Sequence, residues 1–131
     1  MKIVNGENAI MGRLASYVAK EAMKGEEFAV VNCEKVIITG DKKEIKEKYL
    51  EKREKVGSGQ KGPKVSRLSE QIVKRAIRGM LSNHRKGMGK LAFRRVKCYV
   101  GIPKEFEGSE MISMDAKNKG KHITVKYISL K

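Results

Sequence analysis

The residues best suited to chemistry are the cations of segment 71–104. This segment holds ten Lys or Arg and neither Asp nor Glu, in a 131-residue chain whose formal net charge is +15. Cations at this density repel one another in a compact fold, and a polyanion relieves that repulsion. The chemistry they offer is therefore electrostatic contact with phosphate groups. The ten cations are Lys74, Arg75, Arg78, Arg85, Lys86, Lys90, Arg94, Arg95, Lys97 and Lys104.

The apolar residues of the same region predict a helix that carries the first three of these cations. Apolar side chains recur at spacings of three and four, which predicts a helix with a broad buried face, its start capped by the Ser69 hydroxyl. Lys74, Arg75 and Arg78 then lie on the opposite side. The apolar positions are Leu68, Ile72, Val73, Ala76, Ile77, Met80 and Leu81.

A second, shorter helix is predicted after a turn over residues 82–87. Lys86, Lys90, Arg94 and Lys97 are spaced by four, four and three residues, so on a helix they would form one cationic ridge. His84, next to Arg85, is interpreted as an additional donor on this basic surface. The apolar face is expected to contain Met88, Leu91, Ala92 and Val96.

A glycine-rich loop precedes both helices. Residues 56–66 contain three glycines and a proline, together with Lys61 and Lys64, and Arg67 follows directly. Glycine lets a backbone approach phosphate closely, so these cations are expected to meet the same partner as the helices. The alternative is a plain linker between helices, and the residues leave both possibilities open.

The remaining elements point to one domain, spanning residues 1–131. A strand is expected over 2–5, and an apolar stripe predicts a helix over 14–23 that ends at Gly25. Segments 28–33 and 36–39 are apolar and β-branched, typical of one bent strand or two strands covered on both faces of an α/β sheet. A buried strand is expected over 97–101, with Val100 inside the core.

Other parts of the chain carry less information. Residues 41–56 predict a solvated, highly charged helix capped by Asp41. From about residue 104 the chain is expected to be irregular, and residues 122–131 suit either an edge strand or a short helix.

Several function classes are disfavoured by the residues. The stretch 6–12 lacks the lysine, hydroxyl and glycine spacing of a phosphate-binding loop, so a plain strand-to-helix turn is expected. Cys33 and Cys98 are expected to be reduced, and the histidines have no partners at metal-ligand spacing. We therefore expect no metal, cofactor, catalytic residue or small-molecule substrate. No apolar run approaches the ~20 residues that span a bilayer, and the start of the chain lacks the apolar core of a secretion signal, so a cytosolic protein is expected.

Three segments resemble one protein family. Residues 11–16 (MGRLAS), residues 30–35 (VVNCEK) leading to 38–40 (ITG), and residues 76–81 (AIRGML) continuing to 97–103 (KCYVGIP) occur in the order found in the thirteenth protein of the large ribosomal subunit. The short, lysine-rich chain is similar to the archaeal members. The likeness runs from about residue 2 to residue 103, with a looser echo in the last ten residues.

The resemblance implies a fold, partners and site residues. It implies an α/β fold with a small mixed or parallel sheet of about four strands, flanked by helices and carrying basic loops. It also implies a non-catalytic structural role in the large ribosomal subunit, with ribosomal RNA and neighbouring ribosomal proteins as partners. The phosphate-contacting role falls on Arg78, Arg85, Lys86, Lys90, Arg94, Arg95 and Lys97. A free-standing RNA- or DNA-binding regulator is the alternative that composition permits.

Overall fold

Strands and one helix alternate at the start of the chain, three helices follow one another in its middle, and strands predominate towards its end. The computed structural model describes residues 2–54, 66–82, 85–114 and 120–129. The strands are β1 (Lys2–Asn5), β2 (Phe28–Val31), β3 (Ile37–Thr39), β4 (Val96–Cys98), β5 (Ile112–Ser113) and β6 (His122–Thr124). The helices are α1 (Met11–Met23), α2 (Lys42–Glu54), α3 (Ser69–Met80), α4 (Gly87–Arg94) and α5 (Val125–Ser129), with 3₁₀ turns at Cys33–Lys35 and Lys104–Phe106.

The main sheet has four parallel strands in the order β4-β2-β1-β5. All four residues of β2 are buried, because helices cover one face and the segment from Tyr99 to Met111 covers the other. A parallel pair needs a crossover connection, and α1 supplies it between β1 and β2. The expected α/β fold with a small sheet flanked by helices is therefore confirmed.

The apolar segments after β1 form two strands, separated by a sharp turn. Asn32 takes the left-handed conformation (φ +56°), and its Nδ2 donates to Asn5 Oδ1 at 2.9 Å. β3 then leaves the main sheet and pairs antiparallel with β6. The C-terminal segment contains both of the expected alternatives, since α5 follows β6 directly.

The core lies between the main sheet and helices α1, α3 and α4. The expected stripe of α1 is confirmed: its residues 14, 15, 18, 19 and 22 are buried, and the helix packs chiefly against α3. Phe28 of β2 is fully buried, and its ring meets Tyr17 of α1 edge-on, with centroids 5.9 Å apart. This packing fixes α3, and so fixes the cations on its outer side.

The first residue of α3 and the extent of its buried face differ from expectation. Leu68, not Ser69, occupies the capping position, and no side chain caps the helix; Ser69 is the first helical residue and is buried. The Ser66 hydroxyl instead accepts a hydrogen bond from the Leu68 amide at 3.1 Å. Leu68 and Met80 are 58% and 49% exposed, because the sheet and α1 cover only the middle of the helix.

The second predicted helix exists, but only part of its expected apolar face is buried: Ala92 is inside, as expected. α4 is only two turns long and turns Gly89, Ala92 and part of Phe93 toward the core. Met88 and Leu91, expected inside, are 61% and 47% exposed. An i, i+3, i+4 face centred on small residues lets a short helix lie close to α1, and this leaves the larger apolar residues in solvent.

The strand expected over 97–101 is shorter and lies earlier. β4 ends at Cys98, and Val100 is 56% exposed, so the expectation that Val100 is a core residue is wrong. The chain turns away at Gly101, which has φ +68°. Among the described strands, β4 lies at the edge of the sheet and pairs with β2 alone.

Candidate nucleic-acid interface

Three exposed cations form a row along α4. Lys86 directly precedes the helix, and Lys90 and Arg94 follow at intervals of four residues, each interval a rise of ~6 Å along the axis. None of the three forms an ion pair with any residue in the described part of the chain. We call Lys86, Lys90 and Arg94 the α4 ridge. Their charge is directed outward and is available to a partner.

Lys97, the fourth predicted member of this row, does not belong to the ridge. It is the middle residue of β4 and lies beside Ala29 in the sheet register. Successive side chains of a strand point to opposite faces, so Lys97 emerges on the face opposite Val96, away from α4. It is exposed, but it extends from a different side of the molecule.

Arg95 has an internal partner. Its Nη1 donates to the Ala22 carbonyl oxygen at 3.0 Å, in the last turn of α1. A cation placed at the carboxyl end of a helix also stabilises the helix dipole. Arg95 therefore helps to join α4 to α1, a role that its position among other arginines does not reveal.

The α3 cations lie beside those of α4. Lys74, Arg75 and Arg78, which we call the α3 cluster, are half-buried and line a shallow cavity of about 120 Å³ together with Phe93 of α4. Lys74 Nζ lies 5.0 Å from the centroid of the Phe93 ring. Phe93 belongs to α4, so the α3 cluster lies beside the helix that carries the α4 ridge. We call the α3 cluster and the α4 ridge together the basic surface.

The other predicted contact residues are partly described. Arg67 is exposed just before α3, and Arg85 is exposed just before α4. Lys61, Lys64 and His84 lie outside the described residues. The described residues therefore place Arg67 and Arg85 at the starts of the two helices that carry the basic surface.

Arginine side chains are crowded where α2 approaches α3. Burial lowers the pKa of Arg53, and the positive charge of Arg67 lowers it further. Burial raises the pKa of Tyr49, while Arg53 and Arg75 oppose that rise. These shifts place Arg53 near Arg67, which precedes α3, and place Tyr49 near both Arg53 and Arg75.

Sequence reasoning missed the contribution of α2 to this surface. Tyr49 and Lys52 line a cavity of about 240 Å³ with Gln71 and Arg75 of α3. Residues 55–68 separate the two helices in sequence, and no local pattern indicates that they line a common cavity. Only tertiary packing brings them together.

Ion pairs occur elsewhere in the molecule. Lys2 Nζ lies 3.8 Å from Glu26 Oε1, and Lys24 Nζ lies 3.5 Å from Glu21 Oε1; all four residues belong to the N-terminal part of the chain. Exposed pairs of this kind contribute about 0–1 kcal/mol each. They therefore add little to stability, and they do not neutralise the α4 ridge.

At the carboxyl ends of β1, β2 and β4, where α/β proteins commonly bind ligands, the chain's own groups hydrogen-bond to one another. The Asn5 amide oxygen accepts from Asn32, and Glu34 Oε2 accepts from the Gly101 amide at 2.9 Å. The Gly6 amide donates to the Val31 carbonyl oxygen at 2.9 Å, as in an ordinary strand-to-helix turn. This edge holds the sheet and its loops together.

The two cysteines are neighbours in space. Both are free: Cys33 is buried in the first 3₁₀ turn, and Cys98 lies on β4. Hydrogen bonding to Cys98, together with burial, raises the pKa of the Cys33 thiol, so the thiol stays protonated. Within the described ranges, no three His, Cys, Asp or Glu side chains are grouped so that they could hold a metal ion, and no helix has the length and apolarity to cross a membrane.

Comparison with known proteins gives a consistent result. The sequence profile of the family Ribosomal protein L13 matches residues 1–105. The large ribosomal subunit protein uL13 of Methanococcus maripaludis is 45% identical over 133 residues, covering 99% of this chain and 92% of that protein. The protein of the same name from Methanocaldococcus jannaschii has the same identity and coverage. That from Archaeoglobus fulgidus is 40% identical over 129 residues, covering 98% of this chain and 81% of its own.

Proposed function

The chain belongs to the ribosomal protein L13 family, and from that premise we propose that it is a structural constituent of the large ribosomal subunit that binds ribosomal RNA. The observation that carries the RNA-binding part is the α4 ridge: three exposed cations in one row, without a carboxylate partner among the described residues. The protein functions in the cytoplasm, within the ribosome.

The proposed mechanism is charge neutralisation by a rigid, folded surface. Each cation that contacts a phosphate releases condensed counterions, so affinity falls as salt rises. The major groove of A-form RNA is too narrow for side chains to read, so recognition depends mainly on RNA shape. A surface held by the α1–α3–α4 core is suited to this role, because it fixes where the phosphate groups must lie.

The residues proposed to contact RNA fall into groups. The α4 ridge and the α3 cluster form the centre, and Arg67 and Arg85 extend it. Lys97 emerges from another side of the molecule and would reach a different part of the RNA, while Arg95 acts chiefly by holding α4 against α1. The loop residues proposed to contact RNA are Lys61, Lys64 and His84.

The proposal extends to partners and chemistry. Residues 1–131 act as a single RNA-binding unit that supports subunit assembly beside neighbouring large-subunit proteins. It acts by binding rather than by catalysis, in keeping with a structural family. The internal hydrogen bonds at the carboxyl edge of the sheet support this, since they fill the position where an α/β enzyme would hold a substrate.

Sedimentation of the native protein tests the proposal. Cell extract is separated on a sucrose gradient under conditions that preserve large subunits, and the chain is detected with an antibody. We expect it to migrate with large subunits and to be released by high salt. Migration with free small proteins would instead favour a free-standing RNA- or DNA-binding regulator.

A further inference from the structure

Two exposed apolar side chains follow β4 and belong to none of the surfaces described above. Val100 is 56% exposed and Ile102 is 41% exposed, with Gly101 between them. They lie in segment 99–111, which packs on the face of the main sheet opposite α1, α3 and α4. We call residues 99–111 the back layer. The sheet therefore separates the back layer from the helices that carry the basic surface.

The loop that carries the apolar pair is held by hydrogen bonds to the segment after β2. The Gly101 amide donates to Glu34 Oε2 at 2.9 Å, and the Gly101 carbonyl oxygen accepts from the Asn32 amide at 2.9 Å. Both backbone groups of Gly101 are thus used inside the protein, while the side chains on either side of it are exposed. A partner that binds Val100 and Ile102 would not have to order this loop first.

The rest of the back layer is held in place as well. The rings of Tyr99 and Phe106 meet edge-on, with centroids 5.6 Å apart, and both pack against the sheet. The Phe106 amide donates to the Pro103 carbonyl oxygen at 3.0 Å, and the Ser109 amide donates to the Phe106 carbonyl oxygen at 3.1 Å. The two rings fill the space against the sheet, so the core does not require the apolar pair.

The charge of the back layer differs from that of the basic surface. Residues 99–111 contain three glutamates and a single lysine, Lys104. Lys97, which precedes the layer on the same side of the sheet, adds one more cation. None of the glutamates forms an ion pair with a residue that the structure describes. Carboxylates at this density disfavour phosphate groups and favour cations. The three exposed glutamates are Glu105, Glu107 and Glu110.

An apolar centre beside a charged rim is typical of a protein–protein interface. We propose that the back layer is the docking surface for a basic, lysine-bearing segment of a neighbouring protein in the large ribosomal subunit. An apolar side chain of that segment contacts Val100 and Ile102, and its cations contact the glutamates. This rests on the proposed function, which places other proteins beside the chain. The chain would then join RNA on one side of its sheet to a protein on the other.

Carbodiimide crosslinking of native large subunits tests the charged part of the proposal. The reagent joins a carboxylate to an amine in contact with it, and mass spectrometry identifies the linked peptides. We expect at least one of the three back-layer glutamates to be joined to a lysine of another subunit protein. The pair of Lys2 and Glu26, whose charged atoms lie 3.8 Å apart, is the internal control.

The possible results separate this proposal from the proposed function. Recovery of the control link, without any link from the back layer to another protein, would overturn the docking surface. Links to lysines of this chain alone would also overturn it, because they would indicate an internal contact or a second copy. Absence of the chain from large subunits would instead refute the proposed function.

Two single variants of equal charge test the apolar part. Ile102→Asp places a carboxylate in the centre of the proposed interface, whereas Leu50→Asp places one on α2, where the wild-type side chain is 44% exposed. Circular dichroism first shows that each variant is folded. Each is then mixed with an equal amount of wild type, and subunits are reconstituted from large-subunit RNA and the remaining large-subunit proteins. Affinity for protein-free RNA is measured in parallel.

Ile102→Asp should enter subunits roughly tenfold less than the wild type, as expected for loss of a central apolar contact. Leu50→Asp should enter like the wild type, and the two variants should bind protein-free RNA within about twofold of each other. Equal uptake of both variants, or a loss of RNA affinity as large as the loss of uptake, would overturn the proposal. If Ile102→Asp does not fold, Val100→Asp replaces it, since Val100 is the more exposed.

Discussion

Reversing two charges on the α4 ridge is the most informative perturbation of the RNA-binding surface. In Lys90→Glu with Arg94→Glu, both altered side chains are exposed and neither has an ion-pair partner among described residues. Lys90→Glu should change stability by ~0.5 kcal/mol at most, and Arg94→Glu, in the last turn of α4, should cost about 0.3–1 kcal/mol through the helix dipole. The fold should therefore survive, and the effect should appear in binding alone.

The magnitude follows from counterion release. The salt slope is the slope of the logarithm of the binding constant against the logarithm of salt concentration. Each lost phosphate contact lowers its magnitude by ~0.9, so two lost contacts lower it by ~1.8. Over a fourfold rise in salt concentration, the ratio of the variant's dissociation constant to that of the wild type should therefore fall by roughly tenfold. At low salt the variant should bind far more weakly, because two carboxylates now repel the phosphates.

The assay is filter binding to large-subunit ribosomal RNA across a salt series, with a control of matched charge. Lys35→Glu with Lys126→Glu reverses two exposed charges where α5 packs against the first 3₁₀ turn, whereas α4 packs against α1 and β4. We expect the control to lose less affinity and to keep most of its slope. A folded ridge variant that binds like the wild type, or no worse than the control, would refute the assignment of the ridge to RNA.

The remaining predictions concern the fold. Gly6→Ala should cost about 1–3 kcal/mol, because the new Cβ would lie 2.7 Å from Val36 Cγ2; urea unfolding measures this, and an unchanged midpoint would contradict the close packing. Val30→Asp should prevent folding, since it buries an unpaired charge, whereas Val100→Asp at the surface should change stability by at most ~0.5 kcal/mol. If the two variants unfolded at the same temperature, the placement of Val100 at the surface, beyond the end of β4, would be wrong. Hydrogen bonding to the neighbouring thiol, together with burial, raises the pKa of Cys33, so iodoacetamide at pH 8 should modify it in urea but not in the native protein. Because the native thiol keeps its proton, the free energy of unfolding should fall as pH rises above ~8.5, the pKa of an unfolded cysteine. Rapid alkylation of Cys33 in the native protein would contradict the raised pKa.

The sequence predicted the sheet and α1 well, because their signals are local and strong. β2 is an uninterrupted apolar, β-branched run, and such a run is typical of a strand covered on both faces. The stripe of α1 repeats over three turns, and Gly25, with φ +106°, follows its end as predicted. These elements form the centre of the fold, so local pattern and tertiary packing agree there.

Prediction from the sequence failed where tertiary packing decides which face of a helix or strand is buried. In α4, apolar residues lie on both sides of Ala92, and periodicity alone could not show that Gly89 would be buried beside it while Met88 and Leu91 stay exposed. Lys97 was assigned to the ridge by spacing alone, yet its position on a strand turns it to another face. The cavity at Lys52 is lined by residues of two helices that a local pattern does not connect.

The segments that carry the family resemblance chiefly build the scaffold. Within residues 30–35, Asn32 holds Asn5 through its side chain, and Glu34 accepts a hydrogen bond from the Gly101 amide, which belongs to the segment 97–103. These bonds join the loops that follow β1, β2 and β4. The residues that most clearly resemble the family thus fix the positions of the helices, while the cations on those helices are proposed to meet the RNA.

Crosslinking in native large subunits tests the central claim most directly. Subunits are irradiated with ultraviolet light, digested with protease and nuclease, and the nucleotide-bearing peptides are identified by mass spectrometry. We expect the crosslinked peptides to come from α3 and α4, around the α3 cluster and the α4 ridge. Crosslinks confined to α1, α5 and the β3–β6 pair, with none on α3 or α4, would contradict the account.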